Sequence, residues 1–259
     1  MYPDILTDTQ KALIPYFELF AKEYYLVGGT AIALYLGHRK SIDFDLFTHD
    51  KIKLKSIKKW KDDLSVTPIN TIYEASDQIH FIIENVKVTF MQFPFQLKSA
   101  NHIHGLSMPS LLSLAAMKAY ALGGRAKWKD YVDLYFIMKD HYSIKEIIKK
   151  ADELFGSAFN GRFFRQQLGY FDDINYSEKI DYLIDPVPDE TITEFLTEMS
   201  FSQFYPLSIF SKSLFLILTL NSNSSNRKKR KCDLICLLTN SFILIFSLYP
   251  ISLSAEDLS

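Results

Sequence analysis

Apolar and polar positions along this chain recur with two different periods, and each period predicts its own kind of element. Tyr24–Val27 is a short apolar and aromatic run ending on Gly28-Gly29, which predicts a buried strand stopped by a tight turn. Thr30 then caps an apolar segment, Ala31–Leu36, long enough for two helical turns closed by Gly37. Beyond it the period drops to two: Ile42, Phe44 and Leu46 fall on one face of a strand, Asp43 and Asp45 on the other. Two further alternating runs, Ile79–Glu84 and Val86–Phe93, flank Glu84-Asn85 and predict a hairpin that completes the sheet.

Around these strands the helical period dominates. Leu13, Ile14, Phe17 and Phe20 mark one face of a helix between Thr7 and Lys22, kinked or restarted at Pro15. Ile52, Leu54, Ile57, Trp60 and Leu64 alternate with six lysines between Asp50 and Leu64, as on an amphipathic helix. Ser107-Met108-Pro109 starts a helix that Gly123-Gly124 ends; Leu111, Leu114, Ala115, Lys118 and Leu122 form its inward stripe. On the next helix Asp130, Asp133, Leu134 and Ile137 share a face. Ser143 and Glu146 form a capping box opening a helix through Leu154, and Arg162–Tyr170 predicts another. The pattern gives an α+β fold: a small mixed sheet within residues 1–105, then a helical region, 106–199, completing the site.

From about Ser200 the pattern breaks. Two apolar runs flank the basic knot Arg227-Lys228-Lys229-Arg230-Lys231. Residues 232–251 approach the length of a membrane span and carry a polybasic flank, but Asp233, Thr239, Asn240, Ser241 and Ser247 interrupt them. Residues 200–259 are therefore read as an aberrant extension in preference to a membrane anchor.

Composition narrows the class. The 259 residues are 48% hydrophobic and 15% aromatic, enough for one sizeable core and a second small domain. A net charge of -1 argues against a dedicated nucleic-acid coat and leaves room for a local basic patch. The lysines between Asp50 and Leu64 are either such a patch, steering a polyanion such as RNA, or a solvated helix face. Met1-Tyr2-Pro3-Asp4 has neither the basic flank nor the apolar run of a secretory signal. Cys232 and Cys236 are too few and too close for a disulfide framework. The expected location is cytoplasmic.

The candidate chemistry lies between Tyr24 and Phe47. A strand, a glycine turn and a helix start aim unpaired N–H groups and the positive end of a helix dipole at one spot, a place for a phosphate; the Thr30 hydroxyl offers a further donor. Asp43 and Asp45, roughly 6.6 Å apart along a strand, suit a hard cation, magnesium by preference. Together they point to phosphoryl or nucleotidyl transfer. Singly, Gly-Gly reads as a plain turn and Asp-x-Asp as a solvated face. Lys118 on an inward stripe either snorkels or holds an anion, and acids on the aromatic-rich helix need Lys118, Arg125 or a metal as partners. His102 and His104 read as loop histidines.

Gly28-Gly29-Thr30 followed by Arg39, Ser41, Asp43 and Asp45 resembles the signature of the polymerase-beta-like nucleotidyltransferase superfamily, specifically its AbiEii type of bacterial abortive-infection toxin. The resemblance implies that Gly28, Gly29 and Thr30, with Arg39 and Ser41, bind a nucleoside triphosphate, and that Asp43 and Asp45 bind Mg2+ or Mn2+. Lys118 followed by Lys129-Asp130-x-x-Asp133-Leu134 is similar to a second family motif. It implies a catalytic group of Asp43, Asp45, Lys118 and Asp130, with Lys118 neutralising triphosphate charge. It also implies an acceptor hydroxyl on tRNA or protein and a cognate antitoxin. The chain departs from the superfamily at Thr89, where a third carboxylate is usual. Three consequences stay open: another acid substitutes (Glu74, Glu84 or Asp130), the metal alone activates the acceptor, or the chain is a catalytically silent nucleotide-binding module.

Overall fold

The computed structural model describes residues 1–64 and 68–202, and in it the alternating segments lie side by side in one mixed sheet. In chain order the strands are β1 (Tyr25–Val27), β2 (Phe44–Thr48), β3 (Ile69–Glu74), β4 (Gln78–Ile83), β5 (Val86–Gln92), β6 (Asn101–Ile103) and β7 (Leu106–Met108). Their order across the sheet is β3-β4-β5-β2-β1-β7-β6. β2 runs parallel to β5 and β1 to β7; the other neighbours are antiparallel. The helices are α1 (Asp8–Leu13), α2 (Gly28–Leu36), α3 (Leu54–Asp62), α4 (Leu111–Leu122), α5 (Trp128–Asp140), α6 (Ile144–Phe155), α7 (Gly161–Leu168) and α8 (Asp189–Phe201).

The period-2 pattern decides which face is core. Leu26, Phe44, Leu46, Ile79, Phe81, Val88 and Phe90 are all fully buried. They meet Phe17 and Phe20 of the 3-10 turn Ile14–Phe20 and Trp60 of α3: Phe17–Phe44 centroids are 5.0 Å apart, Phe20–Phe90 4.9 Å and Trp60–Phe90 5.3 Å. Edge-to-face aromatic contacts of this kind add to area burial. The opposite face carries Asp45, Lys87, Thr89 and His80 at positions one residue out of phase. Part of that face is closed by an aromatic run, Phe47, Phe93, Phe95, Phe155 and Tyr120, which joins it to α4 and α6. α4 in turn packs against α2, α5, α6 and α7.

Several expected boundaries move. Pro15 restarts the N-terminal helix as 3-10 geometry, and Thr7 with Gln10 forms a capping box ahead of it. β2 begins at Phe44, not at Ile42, which is 43% exposed. The preceding backbone is held by side chains, through Gln10 Nε2 to the Ser41 carbonyl at 2.9 Å, and so does not enter the ladder. α4 starts after Ser110, whose hydroxyl accepts from Ser113 N at 3.2 Å, because Leu106–Met108 is drawn into the sheet as β7. Residues 171–188 form an irregular strap of turns, bends and two isolated bridges. Its amides go to other segments, Asn175 N to the Ala126 carbonyl at 2.7 Å and Leu183 N to His38 O at 3.0 Å, so no helical ladder forms.

Among the described residues no helix is long and apolar enough to cross a membrane. The apolar run 232–251, Cys232, Cys236 and the basic knot lie outside the described residues.

Candidate active site

Glycine at 28 and 29 is a requirement of space. Gly28 has φ +72°, and a side-chain carbon there would collide with Asp45 Oδ2. At Gly29 it would lie 2.7 Å from Arg39 Nη2 and 2.9 Å from Ser41 Oγ. The turn therefore brings the start of α2, Asp45, Arg39 and Ser41 into contact.

Thr30 departs from its expected role. α2 begins at Gly28, so Thr30 sits inside the first turn, buried, and does not cap the helix. Its hydroxyl lies against the Asp43 carbonyl, with Ser41 Oγ at 3.1 Å. It ties α2 to the segment leading into β2 and has no donor left for a ligand. Ser41 shares in the same tie.

Asp45 is paired in register with Val27 on β1 and Thr89 on β5. Burial and the neighbouring Asp43 push its carboxyl above the ordinary carboxylate range, while Lys87, Arg125 and Lys118 pull the other way. Among the described residues neither Asp43 nor Asp45 forms a salt bridge. A half-buried carboxylate raised by a like charge gains from a cation. Among the described residues no group of three or more His, Cys, Asp or Glu could hold a metal by itself. Two carboxylates suit Mg2+, which completes its shell with water and substrate phosphates.

Lys118 and Asp130 belong to a second, different cluster. Lys118 Nζ bonds Asp130 and lies 2.9 Å from Asp133 Oδ2. Arg39 grips Asp133 with Nε at 2.7 Å and Nη2 at 2.9 Å, and His38 Nε2 stands 2.9 Å from Asp133 Oδ1. Arg125 Nε reaches Asp130 Oδ2 at 3.2 Å. His38, Arg39, Lys118, Asp130 and Asp133 are all buried. Burial pushes Asp133 up, but Arg39 and Lys118 outweigh it and hold the carboxyl well below its usual range; Asp130 is lowered by Lys118 and Arg125 in the same way. Burial lowers Lys118, and Asp130 and Asp133 more than reverse it.

The inward stripe thus places Lys118 as expected, but the anions it holds are internal. Arg39, expected on a nucleotide, spends its fork on Asp133 and its Nη1 on the Lys40 carbonyl at 3.0 Å. Arg125 is the cation of this cluster with an open side chain, 53% exposed.

None of the expected substitutes for a third carboxylate is free. Asp130 is held between Lys118 and Arg125. Glu84 sits in the hairpin turn at φ +54° and accepts from Thr9 at 3.0 Å. Glu74 pairs in register with core-facing Ile79, away from Asp45, and bonds Lys58 at 2.7 Å. Lys61 of α3 and Lys53 just before it are spent in surface pairs of the same kind.

His38, the full part played by Asp133, Lys87 and His80 escaped sequence reasoning. Lys87 was detectable, since it lies two residues before Thr89 on an alternating strand. His80 was not, because its place follows from inter-strand register.

Comparison with known proteins bears on this geometry. Residues 16–103 match the family model described as "Nucleotidyl transferase AbiEii toxin, Type IV TA system". The uncharacterized protein aq_aa25 of Aquifex aeolicus (strain VF5) is 28% identical over 155 residues, covering 58% of this chain and 75% of its own. Among solved structures, the nucleotidyltransferase toxin MenT4 of Mycobacterium tuberculosis H37Rv superposes with TM-score 0.53 at 13% identity, over 73% of this chain and 80% of that one, a likeness of fold. JHP933 of Helicobacter pylori gives TM-score 0.49 at 16% identity, covering 82% and 99%.

Proposed function

From the match of residues 16–103 to the AbiEii nucleotidyl transferase toxin model, we propose that the chain moves a nucleoside monophosphate from a nucleoside triphosphate to an acceptor hydroxyl, on tRNA or protein, as the toxin of a toxin–antitoxin pair. The observation that carries this reading is Asp45 packed against the positive-φ turn at Gly28, with the Asp43 charge beside it and neither carboxylate in a salt bridge among the described residues.

In the proposed reaction the acceptor oxygen bonds to the α-phosphorus as the bond to the bridging oxygen of pyrophosphate breaks. The first-turn amides of α2, at Gly28 and Gly29, bind the triphosphate. Asp43 and Asp45 hold Mg2+, which when bound neutralises charge on the phosphate oxygens. Thr30 and Ser41 keep the Asp43 backbone in place. Arg39 and Lys118 act one step back: by holding Asp133 and Asp130 they set the position of Arg125, whose exposed side chain meets the outer phosphates, and keep positive charge near Asp45.

A second reading is favoured by one specific observation. Thr89, in register with Asp45, carries no carboxylate, as in a binding module that has lost catalysis. A transfer assay separates the two. Each of the four nucleotides, α-labelled, is offered with Mg2+ or Mn2+ to total tRNA and to the protein itself, beside the Asp43→Ala/Asp45→Ala variant. Label from the native chain that vanishes in the variant supports transfer and names the nucleotide and acceptor. No label from a folded sample that still binds nucleotide supports the silent module.

A further inference from the structure

The face that carries Asp45 continues across two more strands. Register sets Thr89 of β5 beside Asp45 and His80 of β4 beside Thr89. The three form one row on adjacent strands, each about 4.8 Å from the next, with side chains leaving the sheet on the same side. Asp45 and His80 thus stand roughly 10 Å apart at the backbone, with the small side chain of Thr89 between them. The Thr89 hydroxyl is buried and has no hydrogen-bond partner among the described residues.

His80 has the features that a base at this place requires. It is half-buried. Its Nε2 lies 2.9 Å from Gln78 Oε1, two residues earlier on the same face, and its ring lies 5.3 Å from that of Tyr73 on β3. With Gln78 Oε1 accepting, Nε2 carries the proton and Nδ1 keeps its lone pair. The titratable groups facing it are Tyr73 from β3, Lys87 from β5 and, beyond Thr89, Asp45 from β2. Burial and the Lys87 charge lower its pKa from 6.5, so the imidazole is neutral at neutral pH. Glu74, Asp130 and Glu84, the substitutes considered from sequence, are engaged elsewhere.

We propose that His80, oriented by Gln78, is the general base of the transfer: its Nδ1 takes the proton of the acceptor hydroxyl as that oxygen bonds to the α-phosphorus and pyrophosphate leaves. The inference rests on the nucleotidyltransferase reading above. It supplies by an imidazole what the missing carboxylate at Thr89 would otherwise provide.

The test is the pH profile of kcat for nucleotide transfer by the full chain, with His80→Ala and His80→Gln beside it. Glutamine keeps a hydrogen-bonding side chain of similar reach but is no base. The native profile is expected to fall on the acid side with a midpoint below 6.5. Both variants are expected to lose that limb and about 10²-fold or more in kcat, with the KM for nucleotide and the thermal midpoint unchanged. Native rates in both variants, or a glutamine variant that restores the native rate and acid limb, would overturn the proposal. A native chain that transfers no nucleotide at any pH overturns the transferase reading itself, a different result from active enzyme indifferent to His80.

Discussion

Replacing Asp133 with asparagine keeps the shape of the side chain and removes its charge, in a place where that charge has three partners. Asp133 is fully buried and receives Arg39 Nε at 2.7 Å, Arg39 Nη2 at 2.9 Å, His38 Nε2 at 2.9 Å and Lys118 Nζ at 2.9 Å. Asparagine offers one oxygen in place of two and turns an amide donor toward donors. Arg39 loses the only carboxylate it pairs with among the described residues while Lys118 keeps Asp130, so the dominant cost is one uncompensated buried guanidinium, about 3–5 kcal/mol. That is a large part of the 5–15 kcal/mol typical of a domain. With a urea slope of about 2–3 kcal/mol per M, the midpoint falls by roughly 1–2.5 M, and Tm by about 6–20 °C. The sign with pH is also determined. A carboxyl held below its unfolded value contributes stability that is present above the unfolded pKa, near 3.8, and lost as pH falls through the folded one. The gap between native and Asp133→Asn is therefore full at neutral pH and closes on acidification below about pH 4. Urea unfolding of both proteins at several pH values measures it. A loss under about 1 kcal/mol, the range of exposed ion pairs, or a gap that does not narrow in acid, would refute the reasoning.

Three further outcomes follow from the site. Gly28→Ala forces a side chain into Asp45 Oδ2 at positive φ; about 1–2 kcal/mol of stability is expected to go, and transfer to fall about 100-fold because Asp45 is displaced. Asp45→Asn works in the opposite direction for stability. A carboxyl raised in the fold contributes stability below the unfolded pKa that is lost as pH rises through the folded one, so at neutral pH in chelator the variant melts higher than the native chain, by up to about 2 kcal/mol for like charges near 7 Å. Added Mg2+ raises the native melting temperature and leaves the variant's unchanged. Thr30→Val strands the Asp43 carbonyl that its hydroxyl contacts and costs about 1–3 kcal/mol, read by urea unfolding, whereas Thr30→Ser stays close to native.

The strands and helices nearest the site were legible because their signals are local. Period-2 alternation located β2, β4 and β5, glycines marked the ends of β1 and α2, and a helical stripe located α4 with Lys118 facing inward. β3 was illegible: it is an edge strand with exposed Ile72 and Tyr73 and shows no alternation to detect. β6 and β7, of three residues each, are too short for a period. Ile42 continues the alternation in sequence but not in space, because Thr30 and Gln10 take the backbone ahead of β2 out of the ladder. Residue types also suggested that Lys118 holds an anion, yet only tertiary packing decides that the anions are Asp130 and Asp133. His80 lies 35 positions from Asp45 and meets its row through two register choices, β2 on β5 and β5 on β4, neither of which a linear pattern carries.

The two charge clusters separate scaffold from site by a single criterion, whether their charges are satisfied within the chain. Around Asp133 every buried acid has its cation and every cation its acid, and the pKa directions record it: acids pushed down, Lys118 and Arg39 pushed up. Such a cluster has little to gain from a ligand, and its effect is to hold the segment after α2 against α4 and α5. Around Asp45 the balance is reversed. Among the described residues two carboxylates stand without a salt bridge, one of them pushed up, beside a Thr89 hydroxyl with no hydrogen-bond partner and a glycine turn whose amides open the helix. Folding alone would remove such an arrangement, since burying like charges costs free energy that any uncharged pair would save. Its presence beside the positive-φ turn at Gly28 is the physical reason to place the chemistry there, with Lys118, Arg39 and Asp130 as the frame that holds it.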